Sequence, residues 1–234
     1  MWFIKNLDKK AVLIVHGFAG GTYDQEILAN NLELEGFDVY TFTLPGHEKS
    51  FLKKVTRDEW IDECKYQIER LINHNYKEIY VIGHSMGGVL ASYLAANYKE
   101  VKKLVLAAPA FKYLTFGEEN FELLNALKNS PQVFKDYKKE DIIPRMIQFP
   151  TSVVKEFMKL VEECQDLPSK IDIPTLIIQG SNDKIVPIIS SEYVYDNLKS
   201  KDKRIILVEG VTHDIFRSKE VEHLTEEIKE FLNK

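Results

Sequence analysis

Six short apolar, β-branched runs punctuate the chain: "AVLIVH", "FDVYTFT", "EIYVIG", "KLVLAA", "PTLIIQ" and "RIILVE". They are nearly continuous in apolar residues instead of alternating, as expected of strands buried on both faces of a parallel sheet. Helix-length segments separate them. "YDQEILANNLELEG" places Ile27, Leu28, Leu32 and Leu34 at helical intervals and stops at Gly36, and "RDEWIDECKYQIERLI" aligns Trp60, Ile61, Cys64, Ile68 and Leu71. The C-terminal segment does the same with Val221, Leu224, Ile228, Phe231 and Leu232. Strand and helix in alternation predict an α/β fold, a mostly parallel sheet of about six or seven strands with helices on both faces.

The alternation breaks once. Between "LVLAAPAF" and "DIPTLIIQG" no parallel strand is legible, and stretches such as "ENFELLNALKN" and "SVVKEFMKLVEEC" are charged and helical in pattern. A structureless loop of that length does not belong in a compact domain, so residues 112–170 are expected to form a helical cap inserted into a core made of 1–111 and 171–234. Its aromatic residues, among them Tyr113, Phe116, Phe134 and Phe157, are expected mostly to pack the cap on the core.

Composition narrows the possible partners. Apolar residues make up 44% of the 234, enough for a sizeable core, and the formal net charge of −5 is spread over interleaved signs. No basic face is indicated, which argues against a nucleic-acid partner. The N-terminal apolar run is too short for a signal-peptide core or a membrane span, so a cytoplasmic protein without stable membrane association is expected. Cys64 and Cys164 lie far apart, form no C-x-x-C pair and read as buried apolar residues, not as disulfide or zinc ligands. No metal site is expected.

The chemistry concentrates around "IYVIGHSMGGVLASYLA", residues 79–95. "GHSMG" fits G-x-S-x-G, a pattern that chance alone places in roughly one chain in ten of this size. Here it follows a predicted strand and opens a predicted helix, so the turn is tight enough to strain Ser85, and Gly83 and Gly87 leave room for it. A serine hydroxyl is a weak nucleophile unless a base takes its proton and a third group orients that base. After "PTLIIQG" comes "SNDKIVP" with Asp183, and after "RIILVEG" comes "VTHDIF" with His213. Both fall just past later strands in the order serine, acid, histidine. Asp214 would point elsewhere, and Asp172 precedes a strand. The backbone N–H of Met86 and that of Phe18, in the loop "HGFAGG", are candidate donors to an oxyanion. Gly17, Phe111, Phe116 and Val186 are candidates for contact with substrate. His16 reads as a brace for its loop, and His47 sits in a loop that could reach the site.

In the order "HGF", "GHSMGG", "SNDKIVP" and "VTHDIF", the chain resembles the α/β-hydrolase family over nearly its whole length. Within it the chain is similar to small bacterial carboxylesterases and monoacylglycerol-lipase-like enzymes with a helical cap. The resemblance implies Ser85 as nucleophile, Asp183 and His213 as its partners, Phe18 and Met86 as oxyanion donors, and no cofactor. A serine hydrolase of this kind is expected to cleave small-molecule carboxylic esters through an acyl-enzyme, and the apolar residues of the cap suggest acyl groups of short to medium length or an aromatic acid. Thioesterase and amidase or peptidase activity use the same triad, and a ligand sensor of the same fold with little turnover is the alternative from another class. Only about ten residues precede the "HGF" strand, so the first two strands of the family's fuller sheet are expected to be short or missing. "HGF" in place of "HGGG" points to the simpler esterase branch. The sequence carries no signal for oligomeric state.

Overall fold

The computed structural model describes residues 10–47, 54–112 and 150–234. Phe116 and most of the expected cap therefore lie outside the described residues. Each of the six apolar runs forms a strand: β1 Ala11–Val15, β2 Asp38–Thr41, β3 Ile79–His84, β4 Val101–Ala107, β5 Thr175–Gly180 and β6 Lys203–Val208. All neighbours pair in parallel, in the order β2-β1-β3-β4-β5-β6. β1, β3 and β5 are buried along their whole length, as their unbroken apolar sequences require. The edge strands β2 and β6 are only partly covered, and Leu207 on β6 is exposed.

The strand order explains where a site can form. From β1 the chain steps outward to β2, then returns past β1 to β3 and continues one way to β6. Right-handed crossovers that step in opposite directions place their helices on opposite faces. Accordingly α1 (Glu26–Leu34), which joins β1 to β2, packs against the C-terminal helix α6 (Val221–Asn233). The helices α2 (Arg57–Asn73) and α3 (Met86–Asn97) pack against each other. Between them, α4 (Thr151–Cys164) touches both α2 and α3, and α5 (Ile188–Asn197) lies against β5 and β6. The reversal falls between β1 and β3, so their carboxyl ends diverge into a crevice, the place where ligands bind in open α/β sheets.

Helix faces follow the sequence with one exception. α2 buries Trp60, Cys64, Ile68 and Leu71, with Ile61 half-buried, and starts at a capping box in which Glu59 N–H donates to Thr56 Oγ1 and Thr56 N–H to Glu59 Oε2. α6 buries all five expected residues. On α1, however, Leu28 and Leu32 are fully buried whereas Ile27 is 48% and Leu34 85% exposed. Two helical turns separate Ile27 from Leu34, so they share a stripe about 100° away from Leu28, and the sheet can take only one of the two stripes. Both cysteines are free and buried. No helix among the described residues is long and apolar enough to cross a membrane.

α4 is the longest described element of the region 112–170, followed by a short 3-10 turn, Leu167–Lys170. α4 turns Val153, Phe157, Leu160 and Val161 inward. At its outer edge Arg57 of α2 bridges two of its carboxylates, with Nη1 3.2 Å from Glu156 and Nη2 2.7 Å from Glu163. The Phe157 ring stacks on Phe18 at 5.2 Å between centroids with 13° between planes, a contact worth about 1 kcal/mol beyond its buried area.

Candidate active site

Ser85 stands between β3 and α3 with φ 56° and ψ −119°, a left-handed conformation unusual for a residue with a side chain. Three main-chain bonds hold it there: its N–H donates to Ala107 O at 2.9 Å, and its carbonyl accepts from Gly88 N–H at 2.9 Å and Ala110 N–H at 3.3 Å. The turn closes because its flanking glycines have no side chains. A Cβ on Gly83 would lie 2.2 Å from Gly87 O, and one on Gly87 would lie 2.2 Å from Val15 O. Strain of this kind persists only where the surroundings over-determine it, and it lifts the serine side chain to the carboxyl end of the sheet.

Asp183 and His213 meet from two other loops. Asp183 follows β5 and its Oδ1 accepts from the N–H groups of Ile185 (2.8 Å) and Val186 (2.9 Å). Its Oδ2 lies 2.8 Å from His213 Nδ1. A carboxylate only accepts, so His213 carries its proton on Nδ1 and presents a bare lone pair at Nε2 when neutral. That Nε2 is buried and makes no hydrogen bond among the described residues, so Ser85 and His213 are not hydrogen-bonded in this conformation. Catalytic bonds often tighten only with substrate in place. Burial alone would raise the Asp183 pKa, yet the bonds from His213 and from the Val186 and Ile185 amides outweigh it and hold the carboxyl below its usual range.

The loops are fastened to one another by contacts that reading the sequence alone missed. His84, the residue before the serine, donates Nε2–H to the carbonyl of His213 at 2.8 Å, with the two rings 4.8 Å apart. Gly180, the last residue of β5, admits the histidine loop, since a Cβ there would lie 2.3 Å from Val211 O and 2.8 Å from Thr212 O. Gly180→Ala is therefore expected to displace that loop, lowering the melting temperature by the equivalent of roughly 1–3 kcal/mol and reducing kcat with it. Thermal melts alongside wild type check this, and an unchanged melt would mean that the loop yields freely.

The loop after β1 lies against the serine. A Cβ on Gly17 would come within 3.0 Å of Ser85 Cβ and 3.2 Å of His84 Nδ1, so the "HGF" backbone touches the elbow. Met86 is the first residue of α3, where the helix offers its N–H no acceptor four residues back. Phe18 is buried among His47, Trp60 and Phe157. His16 braces the loop: Nδ1–H donates to Gly17 O at 2.8 Å, and Nε2 accepts from Leu44 N–H at 3.0 Å. Among the other candidates, Phe111 is buried with its N–H on Ser190 Oγ, and Val186 is buried with its backbone bound to Asp183 and Gln179.

The bond that Nε2 accepts from Leu44 requires the neutral ring, and burial, together with the neighbouring His47 ring, pushes the His16 pKa from 6.5 down to about 3. The unfolded chain takes up this proton below pH 6.5 and the folded chain not until about 3, so stability from His16 is complete above 6.5 and drains away as pH falls through that window. In His16→Gln the melting temperature should fall less steeply over the same interval. Parallel slopes in the two proteins would remove His16 as a source of acid sensitivity.

A strained serine at a strand–helix turn on a parallel sheet, beside a bonded aspartate–histidine pair, agrees with what comparison of the chain with known proteins finds. The chain belongs to the alpha/beta hydrolase fold family, whose profile matches residues 10–157. A second profile, described as Serine aminopeptidase, S33, matches residues 116–220. The chain is 25% identical to the carboxylesterase of Bacillus subtilis (strain 168) over 96% of this chain and 93% of that one. It is 22% identical to the monoacylglycerol lipase of Mycolicibacterium smegmatis over 99% and 91% of the two chains. The crystal structure of Paleococcus ferrophilus monoacylglycerol lipase shares the fold, with a TM-score of 0.75 and 24% identity over 95% of this chain and 93% of that one.

Proposed function

We propose that the protein is a serine hydrolase that cleaves small-molecule carboxylic esters, of short to medium acyl groups or aromatic acids, through an acyl-enzyme on Ser85. The observation that carries this reading is the pairing of the Asp183–His213 hydrogen bond with a serine held in left-handed geometry at the crevice between β1 and β3. In the proposed reaction His213 Nε2 takes the hydroxyl proton as Ser85 Oγ bonds to the ester carbonyl carbon. The N–H groups of Met86 and Phe18 receive the oxyanion. As the carbon–oxygen bond breaks, the proton passes from His213 to the departing alcohol, and Asp183 keeps the imidazole in the Nδ1–H tautomer throughout. Water, deprotonated by the same Nε2, then releases the acid and restores Ser85. The relatives named as carboxylesterase and monoacylglycerol lipase support an ester substrate.

Residues 112–170 act in this reading as a cap on the crevice. Supporting it, Phe157 of α4 stacks on Phe18 of the proposed oxyanion loop, and Arg57 ties α4 to the core. The match to a serine aminopeptidase profile favours a peptide bond as the second reading. Initial rates on p-nitrophenyl esters from acetyl to long acyl, beside aminoacyl p-nitroanilides, separate the two. Multiple turnover of esters with slow anilide cleavage is expected. Faster anilide cleavage would move the assignment to a peptidase, and single turnover with slow release would make the protein a ligand sensor.

A further inference from the structure

We propose that Gln179 is a positioning residue for this reaction: braced from behind by Ser191, it donates an amide hydrogen to the same oxygen of Asp183 that receives His213, and so fixes where that oxygen points. Its kinetic arm rests on the esterase reading above. Its geometry does not.

Gln179 interrupts the apolar run of β5, and neither it nor Ser191 on α5 has any exposure to solvent. A primary amide in such a place is costly unless both of its ends are bonded. Here Nε2 donates to Asp183 Oδ2 at 3.1 Å and to the Val186 carbonyl at 3.1 Å, and Oε1 accepts from Ser191 Oγ at 2.7 Å. The direction of the amide follows from chemistry. A carboxylate and a carbonyl can only accept, so the NH2 end must face them, and the Ser191 hydroxyl is then left to donate to the oxygen. Ser191 thereby holds the amide in the one orientation that serves Asp183.

The consequence falls on Oδ2. Backbone amides of Ile185 and Val186 occupy Oδ1, which anchors one end of the carboxyl group. The other end receives two hydrogens, one from His213 Nδ1 and one from Gln179. Without the second, a lone pair of a buried carboxylate goes unsatisfied, and the carboxyl gains freedom to turn away from the imidazole. The His213 ring, which has no other bond to a carboxylate among the described residues, would lose its aim at Ser85.

An amide that only filled space between β5 and α5 would affect folding alone, so the test reads the Asp183–His213 bond directly. Gln179→Met keeps the length and approximate volume of the side chain but no donor, and Ser191→Ala removes the brace. In the full-length protein, proton NMR follows the downfield Nδ1–H of His213, and p-nitrophenyl ester hydrolysis gives kcat and KM. In Gln179→Met the resonance should shift or broaden, and kcat should fall about tenfold with KM nearly unchanged, part of the worth of one charge-assisted hydrogen bond. Ser191→Ala should move both in the same direction by less. A Gln179→Met protein with a lower melting temperature but unmoved resonance and kcat overturns the proposal, as does a wild type with no such resonance. If Gln179→Met does not fold, an unmoved resonance in Ser191→Ala overturns it instead. If wild type hydrolyses no ester, the esterase reading fails while the resonance still decides the role of Gln179.

Discussion

Ser85→Ala should lower kcat for ester hydrolysis by about 10⁴ to 10⁶ while leaving the fold and its melting temperature essentially unchanged. The size of the loss follows from what the hydroxyl does in the proposed mechanism: without it there is no acyl-enzyme, and His213 and the oxyanion donors can at best assist direct attack by water. The fold should survive because the strain at residue 85 belongs to the backbone. Alanine has the same Cβ, so the left-handed φ costs it about what it costs serine, and the three main-chain bonds to Ala107, Gly88 and Ala110 are untouched. Initial rates of both proteins on the best p-nitrophenyl ester measure the ratio, and intact mass after brief exposure to substrate looks for the acyl adduct. Equal rates in the two proteins would remove Ser85 from the chemistry, and an adduct on the alanine variant would place the nucleophile elsewhere.

The sheet was legible because its inner strands are buried on both faces and its apolar runs are nearly continuous, a pattern no amphipathic helix would produce. Ser85, Asp183 and His213 were legible for a different reason: each follows an apolar run in a fixed order, so the pattern reports position along the sheet without any knowledge of contacts. What remained hidden depends on contacts between distant segments or on the phase of a helix. Ile27 and Leu28 are equally apolar, and only the sheet decides that Leu28 goes inside. The bond from His84 to the His213 carbonyl joins segments that nothing in the spacing connects. Phe157 reads as one aromatic among many in a charged helical stretch, yet it stacks on Phe18. Gln179 did leave a signal, a single amide inside the run "TLIIQ" just before the acid, since a polar side chain in a doubly covered strand needs a buried partner.

The same hydrogen-bond map makes Asp183→Asn the second large effect, a fall in kcat of about 10³ to 10⁴ with the side-chain volume unchanged. Asp183 accepts four hydrogens, two at each oxygen. Asparagine has one oxygen and one NH2 group, so one pair of donors must meet a donor. If the oxygen stays on the Ile185 and Val186 amides, the new NH2 faces His213 Nδ1 and the Gln179 amide. His213 can then bond to it only by moving its proton to Nε2, which leaves no lone pair to receive the proton of Ser85. If the amide turns over, the NH2 confronts two backbone N–H groups and the loop itself is destabilised. The first arrangement costs mainly catalysis, with some stability lost where the new NH2 meets the Gln179 amide, and the second costs mainly folding, so kcat and the melting temperature together distinguish them. A variant that keeps near-wild-type kcat would show that another carboxylate orients His213. Adding Gln179→Met to Asp183→Asn sharpens the reading. It removes the donor opposite the new NH2, so it should recover melting temperature lost in the first arrangement but no activity, because the imidazole would still hold its proton on the wrong nitrogen.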